Sequence, residues 1–273
     1  MRLHRDRLWS SMLPILALGV SVPTAIGQQP LLHYDFEDQT SPTANLGSLG
    51  PSQNGNLLGD PEYTSFGGGF ALQFDGAGDH VIPMGSESDF DIGDGDFTLA
   101  ATIQTSYSDT VPASNLVITK ENAGSDPTYA LAVRRDTGLV RFFIADGSSN
   151  VIIDSTTIVN DGVPHRLVGI REGDQLLLFV DGIEEAMVSI PETFGSTNNN
   201  ANLVIGGRTV AVIDPGDFHG IIDDVRVYSE AVRPPSVPSV SAWGLVALAC
   251  LILITGTIVY ARRLPAYSQS SLP

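Results

Sequence analysis

The chain has 273 residues, 42% of them hydrophobic and 16% charged, with 31 acidic against 14 basic side chains and a net charge of −17. That length buries a large core, and 28 Gly with 17 Pro imply many turns, so a disordered tail is excluded. An acidic surface of this kind repels nucleic acid and anionic lipid headgroups and attracts divalent cations.

At the N-terminus Arg2, Arg5 and Arg7 precede an apolar run from Met12 to Val22 and the small-residue pattern Ala25-Ile26-Gly27. This is the layout of a secretory signal peptide over residues 1–27, with cleavage after Gly27. The alternative, a first transmembrane helix, is disfavoured because Pro14 and Pro23 shorten the run below the ~20 residues a span needs.

From Leu31 onward strand signals follow one another: LLHYDF, ALQF, DFTLAATIQT, SNLVITKE, TYALAVRR, GLVRFFIAD, NVIIDSTTIV, HRLVGIRE, QLLLFVDG, EEAMVSI, ANLVIGG and GIIDDVRVY. Turn pairs such as Asp146-Gly147, Asp161-Gly162 and Asp181-Gly182 separate them, and no long amphipathic helix interrupts. Residues 28–232 are therefore predicted to be all-β, a two-sheet antiparallel sandwich or jelly roll. In the last strand, alternation puts Ile221, Asp223, Val225 and Val227 on one face, and this row is predicted to face the core, taking Asp223 with it. The acidic run SESDFDIGDGDF fails as an EF-hand loop, since Gly93 and Asp94 stand at positions five and six from Asp89. It is read as a solvated loop entering the DFTLAATI strand.

After the sandwich, RPPSVPSVSA opens a Pro/Ser linker at 233–241. Residues 242–261 run for 20 positions without a charge and are closed by Arg262-Arg263, which predicts a transmembrane helix with a short tail, 262–273, on the cytoplasmic side. A buried core helix is the alternative, but the run is apolar all round. Everything between the two end segments is then exported. Those segments hold five of the 14 basic and one of the 31 acidic residues, leaving nine against 30 and a net charge of −21 between them. The only cysteine, Cys250, lies inside the predicted span, so the exported part forms no disulfide and depends on its sheet core or on a metal.

ALQFDGAGDHVIP (71–83), DFTLAATI (96–103), DGVPHRLVGIREGDQLLLFVDG (161–182) and GIIDDVRVYSEAV (220–232) together resemble the concanavalin A-like, laminin G-like jelly roll, in that family's order. The resemblance implies the fold; such domains bind sugars, proteins or nothing known. Two positions depart from the family pattern: Thr102 stands where a tryptophan is usual, and Pro164-His165 where Trp-His is usual. The only tryptophans, Trp9 and Trp243, lie outside the domain, which weakens a carbohydrate reading that relies on flat aromatic platforms. Tyr63, Tyr107, Tyr129 and Phe218 are the available substitutes, each also explicable as packing. The C-terminal stretch resembles bacterial sorting signals: Val237-Pro238, Trp243-Gly244, a membrane helix, then Arg262-Arg263. That resemblance implies a membrane-embedded sorting protease as a partner and display at the cell envelope or surface.

A carboxylate on a core face costs several kcal/mol unless it is paired, hydrogen-bonded or bound to a cation. The resemblance implies a structural Ca²⁺ between the last and first strands, with Asp35, Glu37 and Asp38 as partners of Asp223. The competing reading is a strand-end acid that accepts backbone N–H bonds. Enzyme signatures are missing: no Glu-x-Asp-x-Glu, Gly-x-Ser-x-Gly or His-Glu-x-x-His occurs, and His33, His80, His165 and His219 are scattered. His165 is read as a packed or hydrogen-bonded residue rather than a catalyst. The leading expectation is a non-catalytic, surface-displayed module for an extracellular glycan or protein, binding through rim loops or the concave face. A structural or adhesive surface protein comes next, and a diverged glycoside-cleaving enzyme third.

Overall fold

The computed structural model describes residues 28–121, 128–208 and 216–235. The predicted signal peptide, membrane span and sorting motif fall outside the described residues. No helix among the described residues is long and apolar enough to cross a membrane.

The described strands are β1 (Leu32–Tyr34), β2 (Gly55–Leu58), β3 (Glu62–Phe66), β4 (Gly69–Asp75), β5 (His80–Pro83), β6 (Phe97–Gln104), β7 (Ser114–Lys120), β8 (Thr128–Arg134), β9 (Leu139–Ala145), β10 (Asn150–Ile158), β11 (His165–Glu172), β12 (Gln175–Val180), β13 (Ile183–Ser189), β14 (Leu203–Ile205) and β15 (His219–Tyr228). They form two antiparallel sheets, as predicted. Sheet A runs β13-β12-β11-β6-β15-β4-β3, with β1 also on β15; sheet B runs β10-β9-β8-β7-β14-β5-β2. Of these, β2, β3 and β5 are too short, and β3 too polar, to stand out as separate strands in the sequence.

Period-two alternation builds the core. In β9, Val140, Phe142 and Ile144 point inward while Arg141 and Phe143 point out. Phe97 of β6 meets Phe142 edge-on with centroids 5.9 Å apart and leans on Tyr129 at 5.1 Å. Opposite them, a Cβ built on Gly169 of β11 would lie 2.6 Å from the Phe142 ring, so the sheets reach this spacing only because that position has no side chain.

One expectation is corrected here, and another holds with an addition. The acidic run before β6 keeps Asp89, Asp91, Asp94 and Asp96 exposed, as a solvated loop does, but it is pinned at a few points. Its 3₁₀ turn, Glu87–Phe90, buries Phe90 at 1% exposure, and the Phe90 carbonyl accepts the Tyr129 hydroxyl at 2.9 Å. Asp89 accepts from Gln53, and Asp91 pairs with the fully buried Lys120. The correction concerns β15. Its register slips between Asp223 and Arg226, and Asp224 adopts a left-handed φ of 46°. This bulge shifts the alternation, so Ile222, Val225 and Val227 line the core while Ile221 and Asp223 lie on the outer face of sheet A, opposite Gln104 and Thr102.

Candidate functional site

The bulge sits where β15 changes partners. Its first half bonds to β4 through Ile222, and its second half bonds to β1 from Val225 onward. Asp223 is caught at this junction, half-buried, and accepts the N–H of Asp224 at 2.7 Å. Burial pushes its pKa up to about 6, and the neighbouring Asp224, Glu37 and Asp35 charges push the same way. The charges of Asp35 and Glu37, on the chain leaving β1, thus reach Asp223, but the oxygens of these expected calcium ligands do not close to within 4.8 Å of one another. Glu37 also accepts the N–H of Phe70, at the start of β4. Asp38 is used differently: its two oxygens accept from Thr40, Thr43 and the Ala44 N–H, which close the following turn.

Asp224 points to another group of residues. It takes His33 Nε2, Arg166 and Arg226, each at 2.8 Å, so one carboxylate holds three nitrogen-bearing side chains from three strands of sheet A. The cations are thus gathered on Asp224 and the acids on Asp223. Among the described residues, one trio of carboxylates has oxygens all within 4.8 Å of one another: Asp60, Asp75 and the buried Asp79. There, Asp79 accepts the backbone N–H groups of both Asp60 and Asp75, which accounts for its burial. His165 lies between Asp181, 2.8 Å from Nδ1, and Asp161, 3.2 Å from Nε2. Burial opposes its charge, but the two hydrogen-bonded acids prevail and hold its pKa above the usual range.

Of the four aromatic substitutes, Tyr129 and Phe218 are core residues, and Tyr63 is tied to the Thr40 carbonyl. Tyr107 stacks on His219 with centroids 5.0 Å apart, beside a hollow of about 450 Å³ lined by Gln73, Gln104 and Ser106.

A second hollow lies on the outer face of sheet B. Strands β7 to β10 form a cleft of about 490 Å³. Leu116 and Phe143 line it, and beneath them Ala130 and Ala132 of β8 are fully buried. One wall carries Phe143, Arg141, Asn150 and Ile152; the other carries Glu121 and Arg208. Ile152 is 46% exposed, so an apolar edge is presented to solvent. Both arginines are already neutralised: Arg141 grips Asp154 through Nε and Nη2 at 2.7 and 2.8 Å, and Arg208 pairs with Glu121 at 3.2 Å. Burial raises the Glu121 pKa, with Arg208 pulling against it. Sequence reasoning missed these residues because they come from strands and loops far apart in the chain, and only sheet order places them side by side.

The family model described as concanavalin A-like lectin/glucanases superfamily matches residues 67–237. No curated protein sequence matches the chain. Similar solved structures include the binding domain of Paraclostridial Mosquitocidal Protein 1, at 12% identity and a TM-score of 0.60, covering 76% of this chain and 50% of that one. Domain 4 of AbnA, an extracellular arabinanase of Geobacillus stearothermophilus solved with arabinotriose, has 15% identity and a TM-score of 0.56, with 76% and 95% covered. The binding domain of Botulinum Neurotoxin DC, in complex with SialylT, has 10% identity and a TM-score of 0.54, with 76% and 49% covered. The chain thus spans about half the length of the two toxin binding domains.

Proposed function

Because the chain belongs to the concanavalin A-like lectin/glucanases superfamily, we propose that it is a non-catalytic binding module that takes a neutral glycan in the cleft on the outer face of sheet B. The observation that carries this reading is the cleft itself: Leu116 and the Phe143 ring as apolar surface, and Asn150, Ser114 and Ser148 around them to meet hydroxyl groups. Its cations are spent on Asp154 and Glu121, and the domain around it is strongly acidic, so a neutral sugar chain fits better than a uronate or a sialoside. Hydrolysis needs two carboxylates across the scissile bond. Among the described lining residues of the cleft, Glu121 is the one acid, and Arg208 holds it. Two of the similar structures are toxin binding domains, and the arabinanase domain is one solved with a bound arabinotriose.

The same reading places the module outside the cytoplasm, delivered by the segment 1–27, held by 242–261 and processed by a sorting protease at 237–244. Calcium is proposed at Asp223, with Asp35 and Glu37 completing the site. In support, the Asp35 and Glu37 charges act on Asp223, while the nearby cations are gathered on Asp224.

Binding of detergent-solubilised full chain to an array of neutral and acidic glycans tests the reading. Phe143→Ala is expected to lower affinity for a neutral glycan at least tenfold while leaving the melting midpoint within about 2 °C, since the ring is on the outer face. Equal binding by wild type and Phe143→Ala, or binding confined to acidic glycans, refutes it.

A further inference from the structure

The exported part of this chain has no cysteine, yet one place in the fold holds the parts of another covalent fastener. Lys120, the last residue of β7, is 0% exposed, and its Nζ lies 2.7 Å from Asp91 Oδ1 in the packed loop before β6. The same Nζ lies 2.6 Å from the carbonyl oxygen of Asn199 and 3.3 Å from its Oδ1, in the segment before β14. The Asn199 amide is fixed at both ends. Its Nδ2 donates to the Lys120 carbonyl at 3.1 Å, and its Oδ1 accepts the N–H of Ala201 at 2.7 Å.

We propose that Lys120 and Asn199 join through an intramolecular isopeptide bond, with Asp91 as the proton carrier. The buried Lys120 amine, in hydrogen-bond contact with both the Asp91 carboxylate and the Asn199 carboxamide, brings together what direct amide exchange requires. Asp91 takes a proton from the Lys120 ammonium. The freed amine attacks Cγ of Asn199, forming the N–C bond and sending the carbonyl electrons to Oδ1, where the Ala201 N–H already points. Asp91 then returns its proton to Nδ2, the C–Nδ2 bond breaks, and the attacking nitrogen gives up its extra proton. The nitrogen leaves as ammonium, Asp91 is again a carboxylate, and no oxidant or cofactor is consumed. The product links β7 to the start of β14 across 79 residues of sequence, in the sheet that carries the cleft. It does for this domain what a disulfide does elsewhere.

Mass spectrometry of the full chain decides the matter. A tryptic digest of wild type is expected to give a branched peptide joining the Lys120 and Asn199 segments, lighter by one ammonia than the sum of the linear peptides. Asp91→Asn is expected to yield linear peptides and, by circular dichroism, a folded protein with a lower melting midpoint. Linear Lys120 and Asn199 peptides from folded wild type overturn the bond, whether Asn199 is intact or hydrolysed to aspartate. A branched peptide from Asp91→Asn in the same yield overturns the role given to Asp91. Wild-type mass reads the bond itself, so the conclusion survives a variant that fails to fold.

Discussion

Glu185 on β13 is the test case for how the two sheets are held at their open side. Both β13 and β10 are edge strands, and they lie on the same side of the sandwich. The Glu185 carboxylate reaches from one to the other, accepting the N–H groups of Thr156 and Thr157 at 3.0 and 3.2 Å and both threonine hydroxyls. Four donors on one acid would exceed about 4 kcal/mol in a dry interior. Here the groups are exposed or half-buried and water replaces much of the loss, so Glu185→Ala is expected to cost about 1.5 kcal/mol, or roughly 3–6 °C in melting midpoint for a domain of this size. The donors hold the Glu185 pKa below its ordinary value although burial raises it. With a folded pKa below the unfolded one, the stabilisation is fully present above about pH 5 and disappears as pH falls through the folded pKa. Because β10 also supplies the Asn150 and Ile152 wall, the variant is expected to weaken glycan binding and, with a loosened edge, to associate at high concentration. Urea unfolding of wild type and variant at pH 7 and pH 3 measures the difference. A gap below about 0.5 kcal/mol at pH 7, or one as large at pH 3 as at pH 7, refutes the clip.

Other outcomes follow from the same contacts. Gly169→Ala is expected to destabilise by about 1–3 kcal/mol, since its methyl group would have to displace the Phe142 ring; chemical denaturation reads this directly. The raised His165 pKa gives the opposite pH sense to Glu185: its contribution is fully present below about pH 6.5 and is lost as pH rises through the folded value, so His165→Asn is expected to cost more at pH 5.5 than at pH 8.5. For the proposed metal, the melting midpoint of wild type is expected to rise with millimolar calcium and fall with chelator. Asp223→Asn is expected to abolish that response, and an unresponsive wild type removes calcium from the reading.

The sandwich was legible in the sequence because strand alternation and turn chemistry are local. A row such as Val140, Phe142, Ile144 declares its inward face without reference to any other strand, and Asp-Gly pairs mark where a strand must end. The same local logic misled at β15, where one extra residue at Asp224 reverses the alternation. No composition signal marks that bulge, because it exists to let one strand serve β4 and β1 in turn.

What the sequence settled alone was therefore the secondary structure, the two-layer class and the chemical character of the ends. Only the tertiary structure decided which side chains share a surface. Arg141, Asn150, Glu121 and Arg208 become neighbours through hydrogen bonding between strands far apart in the chain, as Lys120, Asp91 and Asn199 do through two loops. Backbone preferences extend over a few residues, whereas a site is set by sheet order, and sheet order is chosen by the whole core at once.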